Sequence, residues 1–164
     1  SWTVKVKKGY LALRSTAAYN DSNEIGRLNT GEAELLVREL KNYMERIGIR
    51  RILEEHIDFG VISPYRAQVH YLRHLLKKEP FFRPCRRLIT VHTVDGFQGQ
   101  ERDVIMISLV RANEKGQIGF LRDLRRMNVA ITRARMKLLI LGEAVTLTRH
   151  PFYRELYEYI GGLR

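Results

Sequence analysis

Three short segments of this chain combine residue types that do chemistry when held close together. In Val61-Ile-Ser-Pro-Tyr-Arg-Ala-Gln68, an apolar run gives way to Ser63, Pro64, Tyr65 and Gln68. Pro64 suits a first helical turn, free backbone N–H groups there seat phosphate oxygens, and Tyr65 offers a ring for stacking on a base or sugar. The same residues also read as ordinary strand-to-helix capping. In His92-Thr-Val-Asp-Gly-Phe-Gln-Gly-Gln-Glu101, Gly96 and Gly99 allow close backbone approach beside Gln98, Gln100 and Glu101. Glu101 is negative, so a ribose hydroxyl suits it better than a phosphate. The third segment, Arg125-Arg-Met-Asn-Val-Ala-Ile-Thr-Arg-Ala-Arg135, holds four arginines and no acid. Arginine's fork matches phosphate oxygens bidentately, although a solvated basic face would have the same composition.

The charge is unevenly spread. The 164 residues carry 29 Lys+Arg against 18 Asp+Glu, a formal +11, yet residues 15–58 hold six bases against nine acids. The excess lies in residues 59–100, with seven bases against two acids, and in 101–137, with nine against four. Basic surface over the candidate segments favours a phosphate-bearing partner, whether nucleotide or nucleic acid. Cys85 is the one cysteine, which excludes an internal disulfide framework and a multi-cysteine metal site and fits a reducing compartment. Its arginine neighbours would lower its thiol pKa, but no partner base accompanies it. His70 and His74 stand at i, i+4 without the intervening Glu of a zinc-protease helix, so no metal is expected. No apolar run approaches the ~18–20 residues of a membrane span, and no signal-peptide pattern is present. These features fit an intracellular, cytoplasmic protein, or a nuclear one in a eukaryote.

The elements that would position these residues alternate. The pattern predicts a helix from an Asn29 or Thr30 cap to a stop at Gly48, with Glu32 and Glu34 favouring its N-terminal dipole and Leu36, Leu40, Tyr43, Met44 and Ile47 on one face. A strand over 59–63 leads into a helix over 65–78 with an inner stripe of Val69, Leu72, Leu75 and Leu76, ended by Pro80. Residues 80–87 read as a basic loop. Strands follow over 88–91 and 104–110, then a helix over 125–134, a strand over 137–141 and a last helix over 151–160. In the helix over 125–134, Met127, Ala130, Ile131 and Ala134 form the buried stripe and Asn128, Thr132 and Arg135 share a neighbouring face. Residues 1–28 carry no readable structure beyond a loose strand pattern at 4–8, and 29–164 form one domain. Such alternation predicts an α/β fold with a mostly parallel central sheet flanked by helices, and ligands at the carboxyl ends of its strands.

The three segments, in this order and about 30 residues apart, resemble motifs IV, V and VI of superfamily 1B helicases. The likeness is to the group containing the nonsense-mediated-decay helicase, senataxin and the immunoglobulin-mu-binding helicase. It rests on Pro64-Tyr-x-x-Gln68, on Val94-Asp-x-Phe-Gln-Gly-x-Glu101 and above all on the full block from Arg125, and it covers roughly residues 29–160. Val110-Arg-Ala-Asn113 and Ile118-Gly-Phe-Leu121 also look like the family. The resemblance implies the second RecA-like lobe of an ATP-driven nucleic-acid motor. By position, Arg133 would be the arginine finger, with Gln98, Gly99 and Glu101 holding the nucleotide from the same side. Ser63, Pro64, Tyr65, Thr93, Val94 and Asp95 would line the single-strand channel, and Gln68, Arg126 and Asn128 would couple or support the two sites.

Nowhere does the sequence contain a Gly-x-x-x-x-Gly-Lys-Ser/Thr loop or an Asp-Glu pair for Mg²⁺, and the family's Gln-Tyr-Arg-Met-His-Pro segment is absent too. The chain is therefore expected to be part of a longer protein. Its N-terminal RecA-like lobe would supply the phosphate loop and the Mg²⁺ ligands for ATP, leaving this portion inactive alone. Single-stranded or duplex nucleic acid is the expected partner. A non-catalytic nucleic-acid-binding module and an interaction scaffold docking an acidic protein are the other readings.

Overall fold

A computed structural model describes residues 9–12, 28–97, 99–111, 123–142 and 147–161, with 9–12 and 160–161 described as backbone. Five strands form one all-parallel sheet: β1 (Gly9–Ala12), β2 (Phe59–Ser63), β3 (Ile89–Thr93), β4 (Arg102–Ser108) and β5 (Ala134–Leu141). Their spatial order is β1-β5-β4-β2-β3. The absence of alternation in the apolar strands has a direct cause, because both faces of the sheet are covered. Phe59, Val61, Val104, Met106, Leu139 and Leu141 enter one core, while Ile62, Ile105, Ile107, Leu138 and Ile140 enter the other. The first core is closed by α1 (Thr30–Ile47), α2 (Ile49–Glu55) and α3 (Arg66–Lys78), and the second by α4 (Leu124–Ile131) and α5 (Pro151–Gly161). No helix among the described residues is long and apolar enough to cross a membrane.

Several sequence expectations hold. Asn29 caps α1 by accepting the Glu32 N–H at 3.0 Å, and Gly48 ends that helix. Others are corrected. The run over 80–87, expected as a loop, belongs to a 3-10 helix (Pro80–Leu88) that buries Phe82 and Cys85, three residues apart and hence on one side. Burial pushes the Cys85 thiol up rather than down, despite the opposing charge of Arg87. The helix over 125–134 stops at Ile131 instead. Thr132 turns its hydroxyl back onto the carbonyls of Asn128 and Val129, at 2.9 and 3.0 Å, and the chain enters β5 at Ala134 opposite Arg102. Arg135 therefore stands on a strand and shares no helical face with Asn128 and Thr132. Gly9–Ala12 pairs with β5, whereas the strand pattern at 4–8 lies outside the described residues.

Glu32 is the largest departure. It is fully buried, and its Oε1 accepts from the Ser108 hydroxyl at 2.6 Å and the Val110 N–H at 2.8 Å, while Oε2 has no partner among the described residues. Gln68 completes the knot, donating to the Asn29 carbonyl at 2.9 Å and to Ser108 at 3.1 Å and accepting the Asn29 N–H at 2.9 Å. Burial pushes the Glu32 pKa up to about 7 against the pull of Ser108, Val110 and Leu109. The folded state therefore holds this proton more tightly than the unfolded chain does. The resulting stabilisation is complete below the unfolded value of 4.5 and is lost as pH rises to about 7, a change of about 3 kcal/mol. Urea unfolding between pH 4.5 and 7 should show that decline, and Glu32→Gln should flatten it; an equal slope in both proteins would contradict a buried proton at Glu32.

Candidate functional site

The sequence candidates fall at opposite edges of the sheet, and not only at the carboxyl ends of the strands where ligands are expected. At the carboxyl edge lie Ser63, the last residue of β2, with Pro64 and Tyr65 after it, and Thr93, the last residue of β3, with Val94 and Asp95 after it. At the amino edge lie Gly99 and Glu101, just ahead of β4, and Arg133, just ahead of β5. Gln98 lies outside the described residues. Because β3 and β4 run the same way, residues 94–101 must travel back along the sheet. Phe97 is their fully buried anchor.

The carboxyl edge is closed more tightly than the residue types suggest. Ser63, Tyr65 and Val94 are buried, at 0%, 6% and 4% exposure, so what they offer a ligand is backbone rather than side chain. The Tyr65 ring is thus not presented for stacking. Ser63 Oγ has no hydrogen-bond partner among the described residues. Pro64 and Thr93 are half-buried, and Asp95 is exposed and faces Arg126 at 3.6 Å. Arg126 also pairs with Asp123 at 3.3 Å, the residue that caps α4. Gly96 packs so closely on His92 that a Cβ there would lie 2.7 Å from the His92 Cβ.

At the amino edge, Gly99 has φ +74, a conformation that only glycine adopts without strain. Glu101 is exposed, and its carboxylate has no partner among the described residues. Arg133 is half-buried; its Nε donates to the Val129 carbonyl at 3.1 Å, and its own carbonyl accepts the Arg102 N–H at 3.0 Å. Glu101 and Arg133 therefore lead side by side into adjacent strands. A carboxylate, a left-handed glycine and an oriented guanidinium suit a ligand bearing both hydroxyls and phosphates. Among the described residues no group of three His, Cys, Asp or Glu side chains is arranged to hold a metal ion.

Two arginines that sequence reasoning left without a role organise this edge. Arg102 binds the Glu101 carbonyl at 2.7 Å and the Gln100 side chain at 3.0 Å, and lies 5.4 Å from the Phe97 ring centre. Arg135 clamps Asp58 and Asp103 through bonds of 3.1 to 3.2 Å, at the point where β5 carries an irregularity opposite Arg102–Val104. Burial opposes ionisation of Asp103, but the Asp58 N–H and then the Arg135 guanidinium outweigh it and hold the carboxyl below its usual range. An arginine two residues beyond Arg133 with matching aspartates was the available signal, but nothing in the sequence joins positions 58, 103 and 135. Arg135→Ala should raise the Asp103 pKa in a carbon-13 NMR titration and cost about 1 kcal/mol, since the clamp is partly solvated. An unmoved Asp103 titration would mean that the clamp is not formed.

Comparison with known proteins agrees with the resemblance read from the motifs. The AAA domain family matches residues 5–145. The probable helicase MAGATAMA 3 of Arabidopsis thaliana is 42% identical over 132 residues, covering 80% of this chain and 16% of the relative. The helicase sen1 of Schizosaccharomyces pombe is 41% identical over 140 residues, covering 84% of this chain and 8% of the relative. The regulator of nonsense transcripts 1 of Dictyostelium discoideum is 37% identical over 133 residues, covering 80% and 10%. The chain thus spans between 8 and 16% of the length of these relatives. Together with the parallel α/β sheet and the three motif segments on its edges, these matches show that the chain belongs to the AAA domain family, within the superfamily 1B helicase-like group.

Proposed function

We propose that this chain is the second RecA-like lobe of an ATP-driven helicase or translocase that acts on nucleic acid. The observation that carries the reading is that one segment reaches both edges of the sheet. Arg126, in the first turn of α4, meets Asp95 at the carboxyl edge, and the same helix delivers Arg133 beside Glu101 at the amino edge. A change felt at one edge has a short, rigid route to the other, as a motor requires.

In this reading ATP, with its Mg²⁺, supplies the phosphoanhydride bond whose hydrolysis drives movement. Arg133 is the arginine finger that stabilises charge growing on the γ-phosphate, its Nε already engaged by Val129. Glu101 accepts from a ribose hydroxyl, and Gly99 and Gln98 hold the nucleotide from the same side. At the carboxyl edge Pro64, Thr93 and Asp95, with the backbone of Ser63, Tyr65 and Val94, receive the single strand. Gln68, Arg126 and Asn128 position those surfaces. The phosphate loop and Mg²⁺ ligands belong to a partner lobe of the same protein, and this chain alone hydrolyses nothing.

The test is ATP hydrolysis by the intact protein, with and without single-stranded DNA and RNA at matched salt. Strong stimulation by one polymer is expected. No hydrolysis by the folded protein would leave a non-catalytic nucleic-acid-binding module. Arg133→Ala should lower turnover by roughly 10³–10⁵-fold while sparing strand binding; turnover within about threefold of the parent would dismiss the finger. Glu101→Gln should raise the KM for ATP more than it weakens strand binding, whereas equal losses would move Glu101 to the strand surface.

A further inference from the structure

On the flank of the sheet, where β3 is the outermost strand, lies a groove of about 350 Å³ between α3, the 3-10 helix and β3. Its floor is apolar, from Leu76, Phe82 and Val91, and its rim carries Arg73, Lys77 and Arg86. Both arginines are fixed by neutral carbonyls. Arg73 donates through Nε and Nη2 to the Val91 carbonyl, at 3.0 and 2.6 Å, and Arg86 Nη2 donates to the Lys77 carbonyl at 2.5 Å. Such bonds set where the cations sit without cancelling their charge. Among the described residues none of the three forms an ion pair. Glu79 is the one acid in the sequence between Arg73 and Arg87, and it is turned to Lys41 at 3.6 Å and to the Phe81 N–H.

The upper end of the groove is His92. Its Nδ1 lies 2.9 Å from Arg73 Nη2, and burial, with the charges of Arg73 and Arg102, keeps its pKa below the usual imidazole range. The neutral ring orients Arg73 as an acceptor. Thr93, the next residue of β3, belongs to the carboxyl-edge surface, so the groove ends one residue short of it. A peptide adding to the free edge of β3 would need the outward carbonyl of Val91, which Arg73 already holds. A flexible polyanion needs only the cations.

We infer that this groove is a second nucleic-acid track, down which the phosphodiester backbone of a single strand runs from Thr93 past Arg73 to Lys77 and Arg86. The inference rests on the motor reading above and extends it beyond the motif residues. Neither Lys77 nor Arg86 belongs to the nucleotide or carboxyl-edge surfaces.

The experiment uses the intact protein, with oligo-dT and oligo-U of about 8 and about 30 nucleotides, spanning the site sizes of single-strand binders. Fluorescence anisotropy at several salt concentrations gives affinity and salt slope, and strand-stimulated ATP turnover is measured alongside. For the double variant Lys77→Gln and Arg86→Gln, affinity for the long oligomer should fall about tenfold and its salt slope should flatten by about 1.4, the contribution of two phosphate contacts on a single strand. Short-oligomer binding and the turnover it stimulates should stay as in the parent. Lys77→Arg with Arg86→Lys, which keeps both charges, should retain long-oligomer affinity. Unchanged long-oligomer affinity and slope in the neutral variant would overturn the track and leave the motor reading standing. Equal losses for both lengths would overturn it as well, since the two residues would then act through the fold. Displacement of the long oligomer by polyglutamate at equal charge concentration would overturn it in favour of an acidic protein partner. Failure of the unaltered protein to bind either oligomer would sink the motor reading and the track together.

Discussion

The knot of Asn29, Glu32, Gln68, Ser108 and Val110 is the constraint on which the rest of the molecule depends. It ties the start of α1 to α3 and to the exit of β4, across sequence separations of 39 to 81 residues. Buried polar groups of this kind are held together or fail together, because each partner removed leaves another desolvated at a cost of about 1–3 kcal/mol. Its most telling member is Val110, a β-branched residue at φ +71. That conformation costs about 1–3 kcal/mol and persists only where its surroundings over-determine it. Here they do, with Glu32 accepting the Val110 N–H and Asn29 Nδ2 donating to the Val110 carbonyl at 3.0 Å. The knot therefore fixes the direction in which the chain leaves β4 toward the arginine block.

From that fixed exit, the geometry of the two edges follows. One sheet carries candidate chemistry at both ends of its strands, and two segments span the distance between them. Residues 94–101 cross with Phe97 sunk in the core and Arg102 laid on its ring. The arginine block crosses as α4, its buried side formed by Met127, Ala130 and Ile131. Both spans are pinned at the amino edge by the same contact, the Arg102 N–H on the Arg133 carbonyl. Parallel strands make this unavoidable, since every connection between them must return the length of the sheet. A fold of this type places residues of one short motif at opposite ends as a matter of course.

Legibility in the sequence tracks where the information is local. The cap of α1, the extent of β2 and the burial of Val69, Leu72 and Leu76 are properties of neighbouring residues, and periodicity reveals them. The end of α4 escapes because nothing in Thr132-Arg-Ala-Arg135 breaks a helix; pairing of Ala134 with Arg102, thirty-two positions away, stops it. The seven-residue α2 escapes because it buries a single side chain fully, Ile52, which leaves no period to read. Glu32 illustrates the same point more sharply. An acid in the first turn of a helix has a sufficient local explanation in the helix dipole, so its burial against Ser108 and Val110 leaves no trace in the sequence. The motif residues were legible as a set through resemblance, yet the closure of Ser63, Tyr65 and Val94 was not, because exposure is decided by what packs on them from elsewhere.

The arginines show how one residue type acquires different functions from its partners alone. Arg135 faces two carboxylates, so its charge is spent on holding β2, β4 and β5 in register at the amino edge. Arg126 is balanced by Asp95 and Asp123. Arg73, Arg86 and Arg133 are instead held by backbone carbonyls, which orient a guanidinium without neutralising it. A net excess of cations says only that anions will be attracted. The distinction between carboxylate-held and carbonyl-held arginines separates charge already balanced within the fold from charge that is oriented but left unbalanced.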